Sequence, residues 1–79
     1  MYVVYIIKSQ KDGSFYTGLT NDLDRRLREH NSGAGNYSST KAPYEMVWHR
    51  EFNDKNKAVQ FEKYLKQGSG FAFARKHLI

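Results

Sequence analysis

Glu62 is the residue hardest to explain by folding alone. Ala58, Phe61 and Leu65 recur at i, i+3 and i+7, with Val59 beside them, which is the spacing of a helical apolar stripe. Glu62 falls at i+4, in the middle of that stripe. Desolvating a lone carboxylate is costly, so an arginine, a lysine or a divalent metal should face it. The plainer alternatives are an ordinary Arg–Glu pair or a glutamate at the helix margin. Arg26 and His30 form a second pair, an i, i+4 step that stacks them on one helix face. Arginine offers a planar donor fork to phosphate oxygens, and histidine exchanges a proton near neutral pH. A solvated face that also carries Arg25, Arg28 and Glu29 is the competing account. Tyr5 and Tyr16 are a third group, able to share a proton network beside an arginine, though tyrosine is also simply a good strand residue. Tyr37, Ser38, Ser39, Thr40 and Lys41 bring hydroxyls and a cation suited to phosphate contact. Phe71, Phe73, Arg75, Lys76 and His77 mix rings and cations as nucleic-acid binders do, but in so small a chain the two phenylalanines are expected in the core.

Competing signatures are absent from the sequence. Gly33-Ala34-Gly35 and Gly68-Ser69-Gly70 do not lie between a strand and a capped helix as a phosphate loop requires. There is no His-Glu-x-x-His string and no Cys/His metal cluster.

Those residues must be positioned by elements that the pattern also predicts. Residues 2–8 are dense in β-branched and aromatic side chains and read as a strand buried on both faces. Asp12-Gly13 marks a turn, and residues 15–20 complete an antiparallel hairpin in which Gly18 signals a bulge or a close backbone approach. Thr20 or Asn21 should cap a helix over about 22–31, with Asp22 and Asp24 in its first turn and Leu23 and Leu27 as its apolar stripe. The Gly/Ser-rich stretch 32–42 reads as a loop, and Pro43 opens a strand over about 44–52. Asn53 or Asp54 caps a helix over about 55–67, Gly68 stops it at C′, and a last helix covers about 71–78 with Phe71, Ala74 and Leu78 at helical spacing. The order ββαβαα predicts an α/β (α+β) fold, a small three-stranded, mainly antiparallel sheet flanked by helices.

Length and charge bound the rest. At 79 residues the chain has room for one domain, 1–79. It contains no cysteine, which excludes a disulfide scaffold and a thiol nucleophile. No apolar run approaches a membrane span, and the opening residues lack a basic n-region, so no membrane association and a cytoplasmic location are expected. Residues 1–54 hold seven basic and seven acidic side chains, whereas 55–79 hold Lys55, Lys57, Lys63, Lys66, Arg75 and Lys76 against Glu62 alone. The whole net charge of +5 therefore lies at one end, which suits a polyanion and equally suits plain solubility.

Taken together, these groups resemble the GIY-YIG nuclease family, in its short, stand-alone, single-domain branch, over nearly the whole chain. The first family tripeptide falls at Val3-Val4-Tyr5 and keeps only the tyrosine. The second falls at Tyr16-Thr17-Gly18, with Thr in place of the central aliphatic residue. Arg26 and His30 in the helix from Asn21 to His30 match the family's arginine and the histidine one turn later, and Glu62 matches its metal-binding glutamate.

The resemblance implies an endonuclease that hydrolyses phosphodiester bonds in DNA with one Mg²⁺, or Mn²⁺, on Glu62. It directs the activity to DNA structure, branched or damaged, rather than to sequence, in repair or recombination. Arg26 would bind the scissile phosphate, Tyr16 would be the base or position the water, and Tyr5 and His30 would order the network or relay the proton. Gly18 would let backbone approach the phosphate, and Lys41, Lys63, Lys66, Arg75 and Lys76 would hold nucleic acid. Two rivals remain: a non-catalytic nucleic-acid-binding module on the same fold, and a protein-interaction domain with an incidental basic end.

Overall fold

The computed structural model describes residues 1–32 and 43–79. Two strands, β1 (Tyr2–Ser9) and β2 (Phe15–Thr20), precede helix α1 (Leu23–Ser32). Strand β3 (Tyr44–Phe52) and helices α2 (Lys55–Lys66) and α3 (Gly68–His77) follow. The sheet is antiparallel in the order β2-β1-β3, so the most apolar strand is central. No helix among the described residues is long and apolar enough to cross a membrane.

The hairpin turn is built by local polar groups. Gly13 takes φ of 77°, the Ser9 hydroxyl accepts from the Lys11 and Asp12 amides, and the Asp12 carboxylate accepts from the Ser14 amide and hydroxyl. β1 is buried on both faces, and its alternation divides the interior in two. Val4 and Ile6 face α2 and α3, packing with Ala58, Leu65 and Ala74 and with the rings of Phe15, Trp48, Phe52 and Phe61. Tyr5 and Ile7 face α1, packing with Tyr44, Tyr16, Met46 and its Leu23 and Leu27 stripe. A register shift between Ile6 and Ile7 on the β3 side leaves Val47 as the extra residue of a bulge.

Three local expectations are corrected. The cap of α1 is Asp22, whose carboxylate accepts from the Arg25 amide, while Thr20 bonds the Asp22 backbone and steers the chain into the helix. Gly68 does not end α2 in a left-handed C′ conformation. The break is at Gln67, extended at φ −84° and ψ 159°, and Gly68 already begins α3. Phe71 and Phe73 are exposed rather than core, because α3 buries Gly70 and Ala74. A Cβ on Gly70 would collide with the Tyr64 carbonyl, so the glycine is what lets α3 fold closely back on α2. Asp54 caps α2, accepting from the Asn56 amide at 2.8 Å.

Candidate active site

The site begins with a glycine opposite a tyrosine. Gly18 of β2 pairs with Tyr5 of β1, and a Cβ at Gly18 would overlap the Tyr5 hydroxyl and ring. Gly18 thus has a structural task, giving the Tyr5 ring a path across β2. The Tyr5 oxygen ends 3.0 Å from His30 Nε2. The Tyr16 ring lies 6.5 Å from that of Tyr5 and 4.9 Å from that of His30, edge to face in the second case. Tyr44 closes the far side of the imidazole at 5.7 Å. α1 holds His30 in place by its next residue. The Asn31 side chain accepts from the Tyr44 amide at 2.6 Å and donates to its carbonyl at 3.4 Å, which ties the helix end to the start of β3.

Arg26, one turn before His30, lies close enough for its charge to act on both Tyr5 and His30. The Tyr5 oxygen and His30 Nε2 share one hydrogen bond, and the imidazole tautomer sets which of them donates. The other ring nitrogen, Nδ1, is buried without a hydrogen-bond partner. Burial pushes the Tyr5 phenol above its ordinary pKa, with the nearby Arg26 guanidinium opposing and Tyr16 and Glu62 adding to the rise. Proximity to Tyr5 raises Arg26, against its own desolvation. Burial first, and the Arg26 charge second, hold His30 below the ordinary imidazole range, opposed by Glu29. The resting network is therefore a cation, a neutral phenol and a neutral imidazole in line. Arg26 also meets Glu29 at 3.4 Å, but both side chains are exposed, so this pair is weak and leaves the guanidinium free to turn to a phosphate.

Glu62 stands on α2, and its charge adds slightly to the rise in the Tyr5 pKa. Its side chain is 19% exposed and pairs with Lys66 Nζ at 3.1 Å, so the positive charge facing it is a lysine one turn along the same helix. No group of three or more His, Cys, Asp and Glu gathers among the described residues. That donor set does not fit zinc, which takes several protein ligands. A single carboxylate of this kind is compatible with a largely hydrated divalent ion, and here it faces the half-exposed Lys66 ammonium.

The structure thus brings Tyr5, Tyr16, Arg26 and His30 together, with Glu62 at their border. Lys63, Arg75 and Lys76 lie exposed on α2 and α3, and Lys66 is engaged by Glu62. Lys41, with Tyr37, Ser38, Ser39 and Thr40, lies outside the described residues. Sequence reasoning missed Arg25 and Lys55, which line a polar groove of about 410 Å³ with Arg26, Asn21 and Thr20. The only available signal was that both basic residues open helices, one in the first turn of α1 and one as the first residue of α2.

A ββαβαα domain with a phenol, guanidinium and imidazole network beside a carboxylate is a defined class of small α/β protein. This chain belongs to the GIY-YIG family, a nuclease family, since residues 1–75 match the GIY-YIG catalytic domain. Nucleases of this family generally use a divalent metal. The chain is similar to UPF0213 protein YazA of Bacillus subtilis, 41% identical over 64 residues, and this match covers 80% of the chain and 64% of YazA. A UPF0213 protein of Bacillus pumilus is 44% identical over 63 residues, 78% of this chain and 63% of that one. The chain therefore spans just under two thirds of these relatives. The solution structure of UPF0213 protein BH0048 from Bacillus halodurans matches 99% of this chain and 87% of its own, with a TM-score of 0.60 and 32% identity.

Proposed function

We propose that residues 1–79 act as one cytoplasmic nuclease domain, a Mg²⁺- or Mn²⁺-dependent endonuclease that hydrolyses phosphodiester bonds in DNA. It would select DNA by structure, branched or damaged, rather than by sequence, in repair or recombination. One observation carries the reading. Tyr5 is 1% exposed with its hydroxyl 3.0 Å from His30 Nε2, and the Arg26 charge acts on both groups.

In this reading Arg26 turns from Glu29 to the scissile phosphate and neutralises the charge that grows on its oxygens as water attacks. Tyr16 positions that water or takes its proton. Tyr5 hands a proton towards His30 Nε2, which burial keeps neutral and able to accept. Glu62 would hold the metal, which when bound stabilises the leaving 3′ oxygen. Arg25 and Lys55 would seat flanking phosphates in the polar groove.

The Lys66–Glu62 pair favours a second reading, a non-catalytic nucleic-acid-binding module in which Lys66 neutralises Glu62 permanently. A panel of DNA structures with Mg²⁺ or Mn²⁺, assayed for cleavage and for binding, separates the two. Cleavage by the parent, lost in Glu62→Gln while binding is kept or tightened, is the expected result. Binding without cleavage by the parent under any condition gives the module reading. In both, affinity falls with salt, by a log–log slope of about −0.9 per phosphate neutralised.

A further inference from the structure

A second groove, of about 340 Å³, lies between β2 and the junction of α2 with α3, lined by Phe15, Tyr16, Thr17, Lys66, Gly68 and Phe71. Tyr16 belongs to both this groove and the Tyr5 network, so whatever enters it sits beside the reacting phosphate of the proposed nuclease. Its chemistry differs from that of the groove at Arg26. Phe71 is 37% exposed and meets Phe15 edge to face at 6.2 Å. Each ring has its own cation, Arg75 over Phe71 at 6.0 Å and Lys8 over Phe15 at 5.7 Å. The core does not require Phe71, because Ala74 supplies the buried contact of α3. Gly68 adds no side chain to the floor, and nothing lies within 4 Å of where its Cβ would be.

An exposed ring and a half-buried one, each beside a cation and continuous with the Tyr5 and Tyr16 cluster, suit a polynucleotide better than a peptide: rings stack on bases and cations follow the backbone. A paired base has both faces covered by its neighbours in the duplex, and only an unpaired one has a face free to stack. We infer that this groove is a base-stacking subsite that seats an unpaired nucleobase next to the scissile phosphate. The substrate is then single-stranded or locally unpaired nucleic acid. The position beside a scissile bond rests on the nuclease reading, whereas the stacking itself does not.

Three probes in EDTA test the binding without cleavage: a short oligothymidylate, a base-free sugar-phosphate oligomer of equal length and charge, and a blunt duplex. The parent should bind oligothymidylate about tenfold tighter than the base-free oligomer, the worth of one stacked base. Phe71→Ala should abolish that difference and leave base-free binding unchanged, and Phe71→Trp should keep it. The subsite is overturned by equal affinity for the first two probes, by a Phe71→Ala loss that is the same on both, or by duplex binding as tight as oligothymidylate. Binding of none of the three also overturns it and leaves the groove to a protein partner. A base preference in a parent that cuts no DNA with Mg²⁺ or Mn²⁺ would keep the subsite and remove the nuclease reading. Cleavage of duplex without base preference would do the reverse.

Discussion

β1 sends equally buried residues to both faces of the sheet, yet the two faces are built for different ends. On the α2 and α3 side, Val4 and Ile6 meet a cluster of aliphatic residues and rings. On the α1 side, Tyr5 is 1% exposed and His30 3%, and the contacts include a phenol, an imidazole and an approaching guanidinium. Hydrophobic burial stabilises the first face directly. The second must offset the desolvation of its polar atoms, and it leaves one of them, His30 Nδ1, unpartnered. One face secures the fold, and the other places reactive groups on a frame that the first has made rigid.

Substitution on each face should separate these tasks. Ile6→Ala empties part of the aliphatic side and should lower stability by about 2–5 kcal/mol. A domain of this size has roughly 4–12 kcal/mol in total, so the loss is a large share. Arg26→Ala removes a side chain that is 44% exposed. It should leave the denaturant midpoint nearly unchanged while slowing cleavage about 10²–10³-fold, the worth of one electrostatic donor at a developing oxyanion. Equilibrium unfolding and single-turnover cleavage on both variants make the check. Equal loss of stability in the two would erase the division.

Glycines sharpen the same contrast at smaller cost. Gly18→Ala forces its methyl into the Tyr5 ring, so it should destabilise by about 1–3 kcal/mol and displace the hydroxyl from His30. Gly68→Ala meets no neighbour and needs no left-handed backbone, so it should stabilise by about 0.4–1 kcal/mol. Thermal melts of the two variants should therefore move in opposite directions.

The same division marks what the sequence could reveal. The strands, the hairpin and the two cores follow from alternation in β1 and the Leu23/Leu27 stripe, because periodicity reports which face is buried. The α2–α3 boundary does not follow. Gly68 has the identity of a helix stop, but the turn is set by how closely Gly70 must approach the Tyr64 carbonyl, a tertiary requirement with no local signature. Phe71 and Phe73 were expected in the core because of their type, yet a helix that buries Gly70 and Ala74 must turn its phenylalanines outward. Tyr5, Tyr16, Arg26 and His30 were legible as a set through the family's motif order. The contact of Tyr5 with His30 was not, since it depends on the path over Gly18. Lys66 was read as a nucleic-acid contact, and its pairing with Glu62 is an i, i+4 relation visible in the sequence but outweighed by the charge of the segment.

Acid should distinguish the faces by the smallest effect. His30 is surrounded by Tyr5, Tyr16 and Tyr44, with Arg26 and Glu29 on its own helix. Burial and the Arg26 charge depress its pKa in the folded protein, so the unfolded chain, whose imidazole titrates near 6.5, binds the proton more readily. Stability must then fall as pH drops from about 7 through the window below 6.5, and the loss is complete once pH is under the folded value. Protonation also puts a hydrogen on both ring nitrogens, so the imidazole can no longer take a proton and, in the nuclease reading, cleavage should decline over the same window. His30→Gln cannot titrate there and should show a smaller fall in Tm between pH 7 and pH 5 than the parent. Ile6→Val, on the aliphatic face, should lower Tm by the same amount at both pH values. Parallel profiles for the parent and His30→Gln would mean that the polar face carries no proton-linked energy of its own.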